Sequence, residues 1–526
     1  MKRYQKANEG IHAPEELKEA AARPAGKRTY ARWMGAVAAV LAVALIGGIA
    51  MWPGRSGGPA FPKNNPDTPI GRNAGLPDTY SAHALSLAAY PEMAPYPKDE
   101  DYFANLGEDE EALEKASDAY SAAFDAWWSD MRALRSDTDY TGLLDGFLSA
   151  STVQFLADAG EENRVYSPLN VYMALSMLAE TAGGDSRQQI LDLLQADSIE
   201  TLRERAATLW KDHYRDDGMA TSILGNSLWL RDDMTYSQKT LDTLAETYYA
   251  SSFSGEMGTE DYNQALRDWL NAQTVGLLQE QASQLELAPE TVLALASTIY
   301  FKAAWSDEFS KGRTERDTFH APSGDVDADF MRKTLEHTYF WGEHFGAVQL
   351  YFQEGGCMWL ILPDEGYSVD ELLKSGEAMA FLLTYKYGYT DEKTGEYTQT
   401  WPDQKRLKIN LSMPKVDVSS DLDLIDGLKA LGVTDVFDAG VSDFGPLGAS
   451  TNAPLSVSQA QHAARVKVDE EGCEAAAYTV IANCEGAPMP PDEEVDFVLD
   501  RPFLFVITGN NDLPLLFTGV VNQPNG

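Results

Sequence analysis

The sequence predicts a mixed α+β domain preceded by one transmembrane helix. Three observations give this. Between residues 140 and 526 helix-period stretches come first, and runs of β-branched residues with alternation then dominate. The chain has 526 residues and 44% hydrophobic content, too long for one small core but suited to one large domain with appendages. Ahead of that domain, Trp33 to Trp52 offers 20 residues without a charge, the length a helix needs to cross a bilayer.

Residues 1–32 carry eight basic and four acidic residues, four of the basic ones within the last ten, which keeps this tail cytoplasmic. The rest of the chain then lies outside, and the expected location is the cell membrane with an extracellular domain. A cleaved signal leading to secretion is the alternative, although the apolar run is longer than usual for one and no small-residue cleavage pattern follows. Residues 53–97 are dense in Pro and Gly and read as a tether. Residues 98–139 read as a helical extension. In it Tyr120, Phe124, Trp127, Met131 and Leu134 recur at helical spacing, so residues 110–135 form an amphipathic helix whose aromatic stripe is a packing surface.

The domain proper occupies 140–526. "YTGLLDGFLSASTVQFLAD", "PLNVYMALSMLAETAGGDSRQQILDLL" and "ALRDWLNAQTVGLLQEQ" read as helices, the second with Pro168 near its start and a Gly183-Gly184 break. "TVLALASTIYFKAAW", "CMWLILP", "RLKINLSMPKVDV", "AARVKVDE" and "PLLFTGVV" read as strands.

Composition excludes several functions. A formal charge of −40 leaves no basic face for phosphates, so no nucleic-acid partner is expected. Three cysteines, Cys357, Cys473 and Cys484, do not make a disulfide framework. There is no G-x-S-x-G, H-E-x-x-H, P-loop or dinucleotide fingerprint, and the closest histidines, His337 and His344, lack metal-site spacing on a helix face. No enzymatic activity, cofactor or metal is expected.

Four stretches together resemble the serpin family: "NRVYSPLNVYMALSMLAETAGGDSRQQIL" from Asn163, "ALASTIYFKAAW" from Ala294, "INLSMPKVDVSSDLDLIDGLKALGVTDVFDAGVSDF" from Ile409, and "LDRPFLFVITGNNDLPLLFTGVVNQP" from Leu499. They occur in family order over residues 140–524. The resemblance implies an α+β serpin-like fold, a large mixed β-sheet with several helices and an exposed reactive-centre loop, and with it a monomer and a suicide inhibitor of a serine protease. The alternative is a non-inhibitory binding or surface protein that uses the same fold.

One stretch carries the mechanism. "CEAAAYTVIA" can form a strand with Cys473, Ala475, Ala477 and Thr479 on one face, all small, and Glu474, Ala476, Tyr478 and Val480 on the other. The Pro-rich, acidic residues after it suit an exposed loop. By resemblance, Gly472, Cys473, Glu474, Ala475, Ala476, Ala477, Tyr478 and Thr479 are the hinge of a reactive-centre loop. Counting from Gly472 places the scissile bond at Gly486-Ala487, whereas counting back from Arg501-Pro502 lands several residues later, near the prolines; proline-flanked bonds are poor substrates, which favours the region Glu485, Gly486 and Ala487. Small residues there imply an elastase-like or subtilisin-like protease, and cleavage after Glu485 would instead imply a Glu-specific one. The resemblance also assigns Ser167, Asn170, Ser297 and His462 to a polar cluster that controls sheet opening. The family commonly has Ser where Asn170 stands and Asn where Ser297 stands, an exchange that preserves the donor and acceptor count.

Overall fold

The computed structural model describes residues 78–524 except 105, 107–109, 137, 139, 141, 284, 290, 354–355, 386–388, 391–396, 399–400, 450–454, 458–459, 474–492 and 510–514. The segment Trp33–Trp52, Glu474 to Thr479 and Glu485 to Ala487 therefore lie outside the described residues. Among the described residues, no helix is long and apolar enough to cross a membrane.

Two large sheets carry the domain. The first has eight strands: β1 (Ala84–Ser86), β2 (Arg215–Asp216), β3 (Ala220–Arg231), β4 (Ala250–Gly255), β5 (Leu293–Ala304), β6 (Val416–Asp423), β7 (Gln461–Val468) and β8 (Gly472–Cys473). Their order is β1-β4-β3-β5-β8-β7-β6, with β2 on β3. Strands β3 and β5 pair antiparallel from Ala220↔Ala303 to Leu230↔Leu293. Both are buried along nearly their whole length, so that polar residues such as Asn226, Ser227 and Thr298 are buried beside the apolar ones. The second sheet has nine strands, with Phe503–Thr508 between Cys357–Pro363 and Leu515–Val521.

Four helices position the site: α1 (Glu110–Leu134), α2 (Pro168–Thr181), α3 (Ile199–His213) and α4 (Glu260–Thr274). Helix α2 starts where it does because the Ser167 hydroxyl accepts from the Asn170 N–H and Pro168 has no N–H to orphan. Every residue of α2 is buried, so its sequence shows no polar face. Helix α4 is amphipathic and buries Tyr262, Leu266 and Trp269 against Trp229, Phe253 and Ala296 of the first sheet. Each such side chain contributes about 1.5–3 kcal/mol.

Three predicted elements are corrected. The run "RLKINLSMPKVDV" is two strands in different sheets, Gln404–Pro414 in the second and β6 in the first, and the chain changes sheets at Pro414-Lys415. The helix expected through "ALRDWLNAQTVGLLQEQ" stops at Thr274, where Val275 adopts φ 51° and Gly276 φ 79°. A separate short helix, Gln279–Ala282, follows. The tether of 53–97 is too long at its C-terminal end, since residues 78–97 pack on the domain. Strand β1 extends the first sheet at β4, Tyr90 lies 5.5 Å from the Trp210 ring, and the Tyr96 N–H donates to the Asp217 carbonyl. Residues 78–90 contain neither Pro nor Gly, so only the composition around them reads as linker.

Helix α1 lies against this same corner. Trp127 is 1% exposed, its ring meets Tyr96 edge-on at 4.9 Å, and its Nε1–H donates to Asp217 Oδ2 at 2.9 Å. The aromatic stripe is thus packing surface.

Candidate functional site: a sheet with one strand begun

The site starts at a two-residue strand. In β8, Gly472 faces Ala304 and Cys473 faces Ala303 on one side, while Cys473 faces Val468 on the other. Since β8 is antiparallel to both β5 and β7, those two run parallel to each other. Among the described residues, no ladder joins β5 directly to β7. A strand has therefore been started between them, and the edges beyond it face each other without a shared ladder.

The chain enters this position through a fixed turn. The Asp469 N–H donates to the Gly472 carbonyl at 3.0 Å, and Trp305 donates from its N–H to the Glu471 carbonyl and from Nε1 to the Asp469 carbonyl, both at 2.9 Å. Glu470 is buried beneath the turn. Burial works against its charge, but Lys415 Nζ at 2.8 Å and the Thr314 hydroxyl at 2.7 Å outweigh this and hold the carboxyl below its ordinary value. Only glycine fits at 472, because a Cβ there would collide with the Ala303 carbonyl. Cys473 is 3% exposed and belongs to the main core.

Farther along the same strands the structure brings Ser167, Asn170, Ser297 and His462 into contact. Asn170 Nδ2 donates to the Ser297 carbonyl at 3.1 Å, and the Ser297 hydroxyl faces the amide oxygens of both Asn170 and Asn226, the latter at 2.8 Å. A hydroxyl has one proton, so it donates to one of them at a time. The Ser167 N–H donates to His462 Nε2 at 3.0 Å, which leaves Nδ1 as the protonated nitrogen of the neutral ring. The exchange of Asn and Ser noted above leaves Asn170 and Ser297 bonded directly across the α2–β5 contact. Asn226, directly opposite Ser297 on β3 and 0% exposed, is an additional member that sequence reasoning missed. Its signal was an amide inside the strand run "TSILGNSLWLR", where Asn is otherwise depleted.

Burial pushes His462 down to about 4. Between pH 6.5 and about 4 the unfolded chain binds a proton at this ring that the folded protein refuses. The associated stability is complete above pH 6.5 and is lost as the pH falls through that window. The urea midpoint should accordingly drop between about pH 7 and about pH 5, and His462→Gln, which keeps an acceptor for Ser167, should flatten that drop. An equal slope in the variant would remove His462 from the account.

A connector crosses above the site. After α4 the chain returns to β5, and on the way the Leu277 carbonyl accepts from Arg465 Nη1 of β7 at 3.3 Å. Arg465 is itself held by Asp417 of β6 at 2.8 and 2.9 Å. The connector thus bonds to the far side of the opening.

An α+β body of two large sheets, with a strand begun between parallel neighbours, is the class these features define. The serpin (serine protease inhibitor) family model matches residues 147–524, and the chain belongs to that family. Among its relatives, an alpha-1-antitrypsin-like protein of Tamias sibiricus is 29% identical over 372 residues, 69% of this chain and 83% of that protein. Serpin B3 of Homo sapiens is 26% identical over 402 residues, 72% and 99% of the two chains. Among solved structures, the native state of the thermophilic serpin tengpin aligns with a TM-score of 0.62 at 25% identity, covering 74% of this chain and 96% of that one. Thyroxine-binding globulin in complex with thyroxine aligns at 0.59 and 19% identity, covering 73% and 99%, a likeness of fold alone.

Proposed function

We propose that this chain traps a serine protease as a covalent ester and is itself no enzyme. The observation that carries the reading is β8, whose Gly472 and Cys473 pair with β5 and whose Cys473 also pairs with β7, with no direct ladder between those strands among the described residues. The protease's serine oxygen attacks the carbonyl of the scissile bond in the region Glu485 to Ala487. A C–O bond forms, the C–N bond breaks, and the proton leaves with the new amine. The freed end continues β8 between its neighbours and carries the esterified protease with it. Small residues at the cleavage region favour an elastase-like or subtilisin-like target. No cofactor enters any step.

Incubation with an elastase-like and with a subtilisin-like protease should give a denaturant-resistant species of summed mass, together with a C-terminal peptide starting near Ala487. A nicked loop with fully active protease in both cases would overturn the inhibitor reading and leave a binding protein of the same fold.

A further inference from the structure

We infer that residues 78–90 are a strap that fastens α4 to the edge of the first sheet and sets how readily that sheet admits a strand. This rests on the insertion reading above. The strap lies ahead of the family match, which begins at residue 147.

The strap bonds to two elements at once. Toward the sheet, β1 pairs with β4 through Ala84↔Phe253 and Ser86↔Ser252, and the Ala88 N–H donates to the Ser251 hydroxyl at 3.1 Å. Toward the helix, the Thr79 hydroxyl donates to Asp268 Oδ2 at 2.7 Å, His83 Nε2 lies 3.3 Å from Asp261 Oδ2, and the Tyr90 hydroxyl donates to Gln273 Oε1 at 3.2 Å. These partners span α4 from its first turn to its last. The His83 ring also lies 5.0 Å from Tyr262, and Tyr80 meets Phe253 edge-on at 6.0 Å.

Helix α4 covers β3, β4 and β5, and its connector reaches β7 through the Arg465–Leu277 bond. A strand entering between β5 and β7 must part those two and open that bond, so α4 and its connector have to yield. The strap opposes this by fixing α4 to β4 along its length. Its release lowers the barrier to insertion whether or not the loop has been cut.

The test uses the full chain and two opposing changes. In the first, Thr79→Ala, His83→Ala and Tyr90→Phe are combined, which removes the bonds to α4 and leaves β1 in place. In the second, Ser86→Cys with Ser252→Cys is oxidised to tie β1 to β4, and then reduced. The rate read is that at which uncleaved protein, warmed without protease, converts to a urea-resistant form. The first change should raise it about tenfold, equivalent to about 1.4 kcal/mol. The oxidised crosslink should lower it, and reduction should restore the parent rate. Rates unaffected by either change, in proteins that keep the parent circular dichroism, would overturn the strap. Covalent trapping is scored separately in the parent: its absence overturns the inhibitor reading, while the conversion rates still decide the strap.

Discussion

Ala477→Arg turns the protein from a trap into a substrate: the loop is still cut, and covalent complex falls to a small fraction of that formed by the parent. Cys473 fixes the face. It is 3% exposed within the main core, and a strand's side chains alternate with period two. If β8 continues as a regular strand, residues 475, 477 and 479 follow Cys473 toward that core. An arginine there would be a buried charge without a partner, at a cost of about 3–5 kcal/mol. That slows insertion by about a hundredfold to several thousandfold, and hydrolysis of the ester then wins. Gel densitometry of complex against nicked protein measures the partition. Undiminished trapping would place Ala477 on the outward face and shift the register by one.

The loop-cleaved protein melts far above the intact one. Insertion would give β5 and β7 a shared strand and convert two facing edges into two ladders. At about 0.5–1.5 kcal/mol for each hydrogen bond, a strand of about ten residues contributes on the order of 10 kcal/mol. For a domain of about 380 residues that corresponds to about 10 °C or more. Differential scanning of intact and cleaved samples at one scan rate makes the comparison, because unfolding of so large a protein is read kinetically. Coincident melts would mean that the cut end stays outside the sheet.

Local pattern made some elements legible and topology hid others. Helix α2 announced itself through Ser167, Pro168 and the Gly183-Gly184 break, and β5 and β7 through their β-branched runs. The change of sheet at Pro414-Lys415 was hidden, because both flanking segments have strand character and nothing local says which sheet each joins. Strand β1 was hidden for the opposite reason. It is three residues long, and its pairing with β4 spans about 170 positions of sequence. The polar cluster came from resemblance, since Ser167, Asn170, Ser297 and His462 are scattered over nearly 300 positions and no spacing rule joins them. Asn226 was reachable in principle, as a buried strand amide needs a partner such as the Tyr248 carbonyl it bonds at 3.2 Å.

The central claim is that the sheet receives its missing strand between β5 and β7, and amide hydrogen exchange before and after loop cleavage tests it most directly. The predicted result is new protection along Leu293–Ala304 and Gln461–Val468, with β3 and β6 little changed because their ladders already exist. Unchanged exchange along both strands in fully cleaved protein would contradict the account.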